Sequence, residues 1–167
     1  MAVLEQLIEQ YRSESNEDLK ADIILSEFED LEVNDKWDFL LQLINDKNTY
    51  DLVKINVYKI IEIAELSEMD LIKVKSAVLI AINNEEDELV RQWGFISLTN
   101  NFSSFHDVLD LCITTVENEE EDLDVRYSAF GVIKNSSAKE KLESFQKRLL
   151  KVEQFKKSAE RFYKEMK

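Results

Sequence analysis

Proline is absent from the 167 residues, and glycine occurs only twice, at Gly94 and Gly131. Both glycines lie inside stretches with helical periodicity, so neither marks a turn. Asn-Gly, Asp-Gly and Pro-Gly pairs are missing, and no stretch alternates strictly between apolar and polar residues. A β-sheet would lack both its hairpin turns and its two-residue pattern, which leaves helices. The single cysteine, Cys112, excludes an internal disulfide, and its neighbours in VLDLCITTV mark it as a small buried hydrophobe. One cysteine and one histidine do not furnish the several ligands of a zinc site, and no Gly-rich phosphate loop is present, so no metal or other cofactor is expected. The start MAVLEQLIEQY has acids where a secretory leader has basic residues, and no window approaches about 18 uninterrupted apolar residues. The expectations are a cytoplasmic location and no membrane contact.

What is present is charge, unevenly spread. The formal net charge is −14, with 44% of residues hydrophobic and 34% charged. Residues 136–167 hold 10 Lys or Arg against 5 Asp or Glu, leaving 11 against 30 in residues 1–135. An acidic body with a basic tail repels phosphate along most of its length, so nucleic acid is a disfavoured partner and a basic protein a favoured one.

Apolar residues recur at helical spacing almost throughout, and the spacing predicts nine helices, at 2–12, 17–30, 35–46, 49–65, 68–83, 86–100, 104–117, 122–134 and 137–166. Ser67, Ser104 and Ser137 precede three of these with an acid three residues on, a capping pattern. Links of two to five residues force consecutive helices to lie antiparallel. Lys20, Lys54, Arg91 and Arg126 recur at spacings of 34, 37 and 35, and each is followed four residues later by a large apolar side chain: Ile24, Tyr58, Phe95 and Phe130. A period of this size with two helices per unit indicates a helical solenoid, in which the aromatic column packs the seam between units.

The strings Asp87-Glu88-Leu89-Val90-Arg91-Gln92-Trp93-Gly94 and Asp122-Leu123-Asp124-Val125-Arg126-Tyr127-Ser128-Ala129 carry an Asp, a gap, Val-Arg and then a small residue one turn on. This resembles the second-helix signature of HEAT repeats, with looser matches at Val53-Lys54 and Leu19-Lys20. The resemblance covers about residues 1–135. It implies an all-α fold, a right-handed α-α superhelix (an α-solenoid) of about four HEAT-like helix pairs, followed in the same domain by a long C-terminal helix over residues 136–167. Val90 with Gly94, and Val125 with Ala129, share a helical face on which the small residue lets the paired helix approach closely. Lys54, Arg91 and Arg126, one step round from that face, are expected to reach carboxylates or carbonyls at helix starts of adjacent units as an inter-repeat ladder.

The terminal segment has an apolar stripe at Leu142, Phe145, Leu149, Val152, Phe155, Ala159 and Phe162. As one helix of about 45 Å it either caps the fourth pair, its cations facing water or the acidic body, or extends from about Phe155 to a partner helix or a second copy of the chain.

Candidate sites follow from the same frame. His106 has no evident nucleophile beside it, so catalysis is not expected. The acidic runs Glu85, Glu86, Asp87, Glu88 and Glu119, Glu120, Glu121, Asp122, Asp124 stand at the entrances to the second helices of units three and four, without the spacing of a calcium loop. Helix-dipole matching explains such acids on its own; alternatively, with Trp93 and Tyr127 as aromatic anchors, they form a surface for a basic protein. The functional expectation is a protein-binding module rather than an enzyme. It is most concretely an acidic immunity-type inhibitor that neutralises a basic partner such as a toxin nuclease. The alternative is a HEAT-like scaffold or regulatory adaptor in a larger assembly. HEAT-like DNA glycosylases and pigment-attaching lyases form a third class, and for the glycosylases the acidic helix starts argue against DNA.

Overall fold

The computed structural model describes residues 2–166 of the chain. Among them are ten α-helices and no strand: α1 (Ala2–Ser13), α2 (Glu17–Phe28), α3 (Lys36–Asn45), α4 (Asp51–Ile63), α5 (Glu68–Asn84), α6 (Glu88–Ser97), α7 (His106–Glu117), α8 (Leu123–Asn135), α9 (Lys139–Leu149) and α10 (Lys156–Glu165). The chain divides after Ser97 into two compact units.

In the first unit each helix packs on the next within the pairs α1/α2, α3/α4 and α5/α6. The second helices also stack on one another, α2 on α4 and α4 on α6, while α3 packs on α5. The central member, α4, buries Val53, Ile55, Val57, Tyr58, Ile60 and Ile61, which between them cover most of its circumference. A helix apolar nearly all round belongs in the middle of a layer, and α4 has helices on several sides. The second unit is smaller: α7 packs against both α8 and α9, and α10 lies on α9.

Side-chain capping fixes several helix starts. Asn16 accepts hydrogen bonds from the amides of Asp18 and Leu19 to start α2, and Asp122 does the same for Asp124 and Val125 at α8. Ser67 accepts from the Asp70 amide at 3.2 Å, as the capping pattern predicts. Ser104 and Ser137 do not cap. Their hydroxyls lie 2.8 Å apart, and the Ser137 amide donates to the Ser104 hydroxyl, tying the loop before α7 to the loop after α8.

The single long C-terminal helix expected over 137–166 is not what forms. It is two helices, separated by residues 150–155 in successive tight turns. The physical reason lies outside the segment's own sequence, which has neither Pro nor Gly there. Phe155 reaches full burial by packing on the rings of Tyr127 (4.8 Å between centroids) and Phe130 (5.3 Å) of α8. After the turn α10 doubles back on α9, where the Tyr163 hydroxyl donates to the Leu142 carbonyl at 2.7 Å. Burial pushes the Tyr163 phenol up to about 12. The register of the stripe shifts accordingly, with Tyr163 buried and Phe162 only half-buried.

The large side chains that follow each basic residue by four positions are internal: Ile24, Tyr58 and Phe95 in the first unit and Phe130 in the second are all buried. Gly94 explains how α5 and α6 come together, because a Cβ there would lie 2.6 Å from Ile82 Cγ1, a side chain with no room to withdraw. Gly131, in α8, would meet nothing within 4 Å. The two glycines should therefore respond in opposite senses. Gly94→Ala is expected to lower stability by roughly 1–2 kcal/mol, overpacking outweighing the gain in helix propensity. Gly131→Ala should raise it by about 0.5–1 kcal/mol. Urea midpoints of the two variants measure both signs.

Candidate functional site

Lys54 stands on α4 among apolar neighbours, its side chain only 5% exposed, and its ammonium meets Glu85 Oε2 at 2.8 Å. Glu85 closes α5, and its other oxygen accepts from the amides of Glu86 (3.0 Å) and Asp87 (3.1 Å) at the approach to α6. Burial by itself would raise the Glu85 carboxyl, but the Lys54 ammonium and the two amides outweigh it and hold the carboxyl below the usual range. One carboxylate thus joins α4 to the link between α5 and α6. Glu85 was expected to face a partner; it is turned inward instead, because a buried ammonium on the neighbouring helix needs a counter-charge.

The equivalent cation of the second unit, Arg126, finds a different acceptor. Its Nε and Nη2 donate to the Val116 carbonyl at 3.1 and 2.8 Å, capping the C-terminal turn of α7 within the same helix pair, and its guanidinium lies 5.4 Å from the Phe155 ring. Arg91, in the same frame on α6, is half-buried. A third internal cation, Lys36, was not anticipated from the sequence. It donates to the Phe28 carbonyl at 2.8 Å and the Glu29 carbonyl at 3.1 Å, closing the end of α2. Burial lowers its pKa against the opposing pull of Asp30 and Glu29. Nothing in VNDKWDF separates this lysine from a solvated one, since its acceptors lie across a loop.

The remaining acids divide by role. Glu86, Asp87 and Glu88 are exposed at the start of α6, and Asp87 Oδ1 accepts from the Val90 amide at 2.9 Å, so it also organises the first turn. Beside them, within the first unit, the C-terminal ends of α3 and α5 border a cleft of about 400 Å³ with Asp46, Asn84 and Glu86 at its edge and the Lys54–Glu85 pair inside. Trp93 is half-buried, with the Lys59 ammonium 5.2 Å from its ring. In the second unit Glu119, Glu120 and Asp124 are exposed, while Glu121 and Asp122 are half-buried and Asp122 is occupied as the cap of α8. Tyr127 keeps 43% of its surface exposed, yet its hydroxyl accepts from Gln154 Nε2 at 3.0 Å and its ring leans on Phe155.

The basic tail is partly spent on its own unit. Lys141 pairs with Asp110 at 2.6 Å, and Arg148 grips Glu117 with two nitrogens at 2.7 and 2.6 Å, fastening α9 to α7. On α10, Lys157, Arg161 and Lys164 are exposed. His106 is exposed at the first residue of α7. The Cys112 thiol is buried and pushed up by desolvation, which removes thiolate character. Among the described residues no three His, Cys, Asp or Glu gather as a metal-binding group, and no helix is long and apolar enough to cross a membrane.

No protein-family model matches the chain, and no curated protein or solved structure is significantly similar to it.

The Lys54–Glu85 pair has a calculable pH signature. A carboxyl held below its unfolded value adds stability above about pH 4.5, and that contribution fades as pH falls through the folded value. Lys54→Met strands the carboxylate and should cost roughly 2–3 kcal/mol at pH 7. Protonation of Glu85 relaxes that penalty, so the gap between variant and parent should shrink below about pH 4. Denaturant titrations at pH 7 and pH 3.5 check the convergence, and a gap independent of pH would remove the ion pair as its cause.

Proposed function

We propose that this chain is a protein-binding module whose exposed carboxylates engage a basic protein, most concretely an immunity-type inhibitor that shields a cationic toxin such as a nuclease. The observation that carries the reading is the separation of roles among the charges. Lys36, Lys54 and Arg126 are consumed inside the fold, whereas Glu86 and Glu88 in one unit and Glu119 and Glu120 in the other stay in water. The chain's net negative charge is therefore presented to solvent in part at these helix starts. Opposite charge accelerates encounter, and rigid helix ends present it without an ordering cost on binding.

The HEAT-like superhelix belongs to the same proposal. The stacking of α2, α4 and α6 with α3 beside α5 supports it in the first unit, as does the recurrence of a buried cation at the same frame position in α4 and α8. Within this reading the chain acts in the cytoplasm, without cofactor, catalytic residue or nucleic-acid ligand. A second reading, a regulatory adaptor within a larger assembly, is favoured by the exposed cations Lys157, Arg161 and Lys164 on α10, which offer a contact of opposite sign, to another subunit or to a second copy of the chain. Genetic neighbourhood separates the two: a toxin encoded immediately upstream supports inhibition, a complex subunit supports the adaptor.

Charge reversal tests the binding surface, and Asp87 and Asp122 should be spared because they organise helix starts. Glu86→Lys with Glu88→Lys, or Glu119→Lys with Glu120→Lys, is expected to weaken the captured basic partner by about tenfold or more at low salt while leaving the urea midpoint nearly unchanged. Retention of the partner by both variants would end the acidic-surface reading. Labelled duplex DNA should show no salt-sensitive shift with the parent protein.

A further inference from the structure

A second surface of the first unit combines apolar floor and acidic rim. The loop from Glu29 to Asn34, the start of α3 and the last turn of α4 enclose a groove of about 690 Å³. Ile60 and Trp37 form its buried base, Leu31 and Val33 are half-buried in its wall, and Ile63 leaves 60% of its surface in water. Glu29, Asp30, Glu32 and Glu65 stand exposed around it. The one cation lining it, Lys36, is 8% exposed and committed to the carbonyls of Phe28 and Glu29; its charge offsets part of that of Glu29 and Asp30, and four carboxylates against one ammonium leave the rim negative. The C-terminal end of α4 abuts the groove, and a helix C-terminus adds negative potential of its own.

We propose that this groove docks a basic amphipathic segment of a partner protein, an aliphatic side chain lying against Ile63 and its flanking Lys or Arg residues facing Glu29, Asp30, Glu32 and Glu65. Charge complementarity selects this occupant. A rim of one sign repels acidic peptides and nucleic acid, and an apolar floor gives no advantage to a purely polar cation. A second copy is a poor fit because its basic helix α10 already buries its apolar residues Ala159 and Tyr163 within its own unit and has no such face to lay on the floor. The groove lies at the opposite end of α4 from the Lys54–Glu85 pair and is separate from the acids at the start of α6. The inference rests on the reading of the chain as a binder of basic proteins and assigns it an additional contact.

The probe is a synthetic peptide of about a dozen residues with leucines flanked by Lys and Arg, titrated into the full-length 15N-labelled protein. A companion peptide carries Ser in place of each Leu at equal charge. Amide shifts are expected at Glu29–Trp37 and Ile60–Glu65. The Ser peptide should bind about tenfold more weakly or worse, and so should the Leu peptide to Ile63→Glu, a change at an exposed helix end that leaves the core intact. Glu29→Lys with Glu32→Lys should weaken binding and flatten its salt dependence. Shifts confined to Glu86–Glu88 or Glu119–Asp124 would overturn the groove while sparing the proposed function. Equal binding of both peptides, or Ile63-dependent dimerisation in sedimentation, would also overturn it. No site-specific, salt-sensitive binding anywhere would remove both.

Discussion

A helix that ends against protein rather than water leaves carbonyl oxygens to be satisfied, and at two such ends in this chain, those of α2 and α7, a long cationic side chain satisfies them. Lys36 closes the end of α2, Arg126 closes α7, and Lys54 reaches the carboxylate that follows α5. Each is nearly buried, and each joins segments that are not neighbours along the helix it sits on. The arrangement is demanding. An ammonium or guanidinium withdrawn from water is tolerable only with its acceptors in place, so the positions of the helix ends are specified as sharply as the core packing. Neutral caps such as Asn16 and Ser67 set where helices begin; the buried cations tie helix ends to other helices, within a pair for Arg126 and between pairs for Lys36 and Lys54.

Internal use of positive charge has an external consequence. The chain has only 21 basic residues against 35 acids, and several of the basic ones are unavailable to solvent or to partners. Lys141 and Arg148 are further engaged in fastening α9 to α7. Each of these ion pairs cancels one carboxylate along with one cation, so the excess of 14 negative charges stays with the remaining acids, and at low ionic strength the field around the helix starts extends about a Debye length into solution. A protein so arranged is suited to meeting cations, whether ammonium and guanidinium groups of another protein or the apolar-and-basic mixture that an amphipathic segment offers.

The acidic runs show how a single composition serves two ends. Glu85 completes an internal ion pair, Asp87 and Asp122 order the first turns of α6 and α8, and Glu86, Glu88, Glu119 and Glu120 remain at the surface. Neighbours in sequence thus differ in role because the backbone turns at the start of a helix, aiming one carboxylate at free amides and the next into water. Substituting an entire run would mix loss of stability with loss of charge.

The all-helical class, most helix boundaries to within a few residues, the net sign of the charge and the internal placement of Ile24, Tyr58, Phe95 and Phe130 were all legible in the order of the residues. These follow from periodicity and from the absence of turn and strand signals, which are local properties. Tertiary structure alone decided that residues 137–166 form two helices, since the break is held by Phe155 against Tyr127 and Phe130 and by Tyr163 against Leu142. It also decided that Glu85 turns inward, that Lys36 is a buried cap and that Ile63 borders an acidic groove. Each of those depends on what a side chain meets across space, and no pattern of neighbours along the chain encodes the distance from Lys54 to a carboxylate 31 residues away.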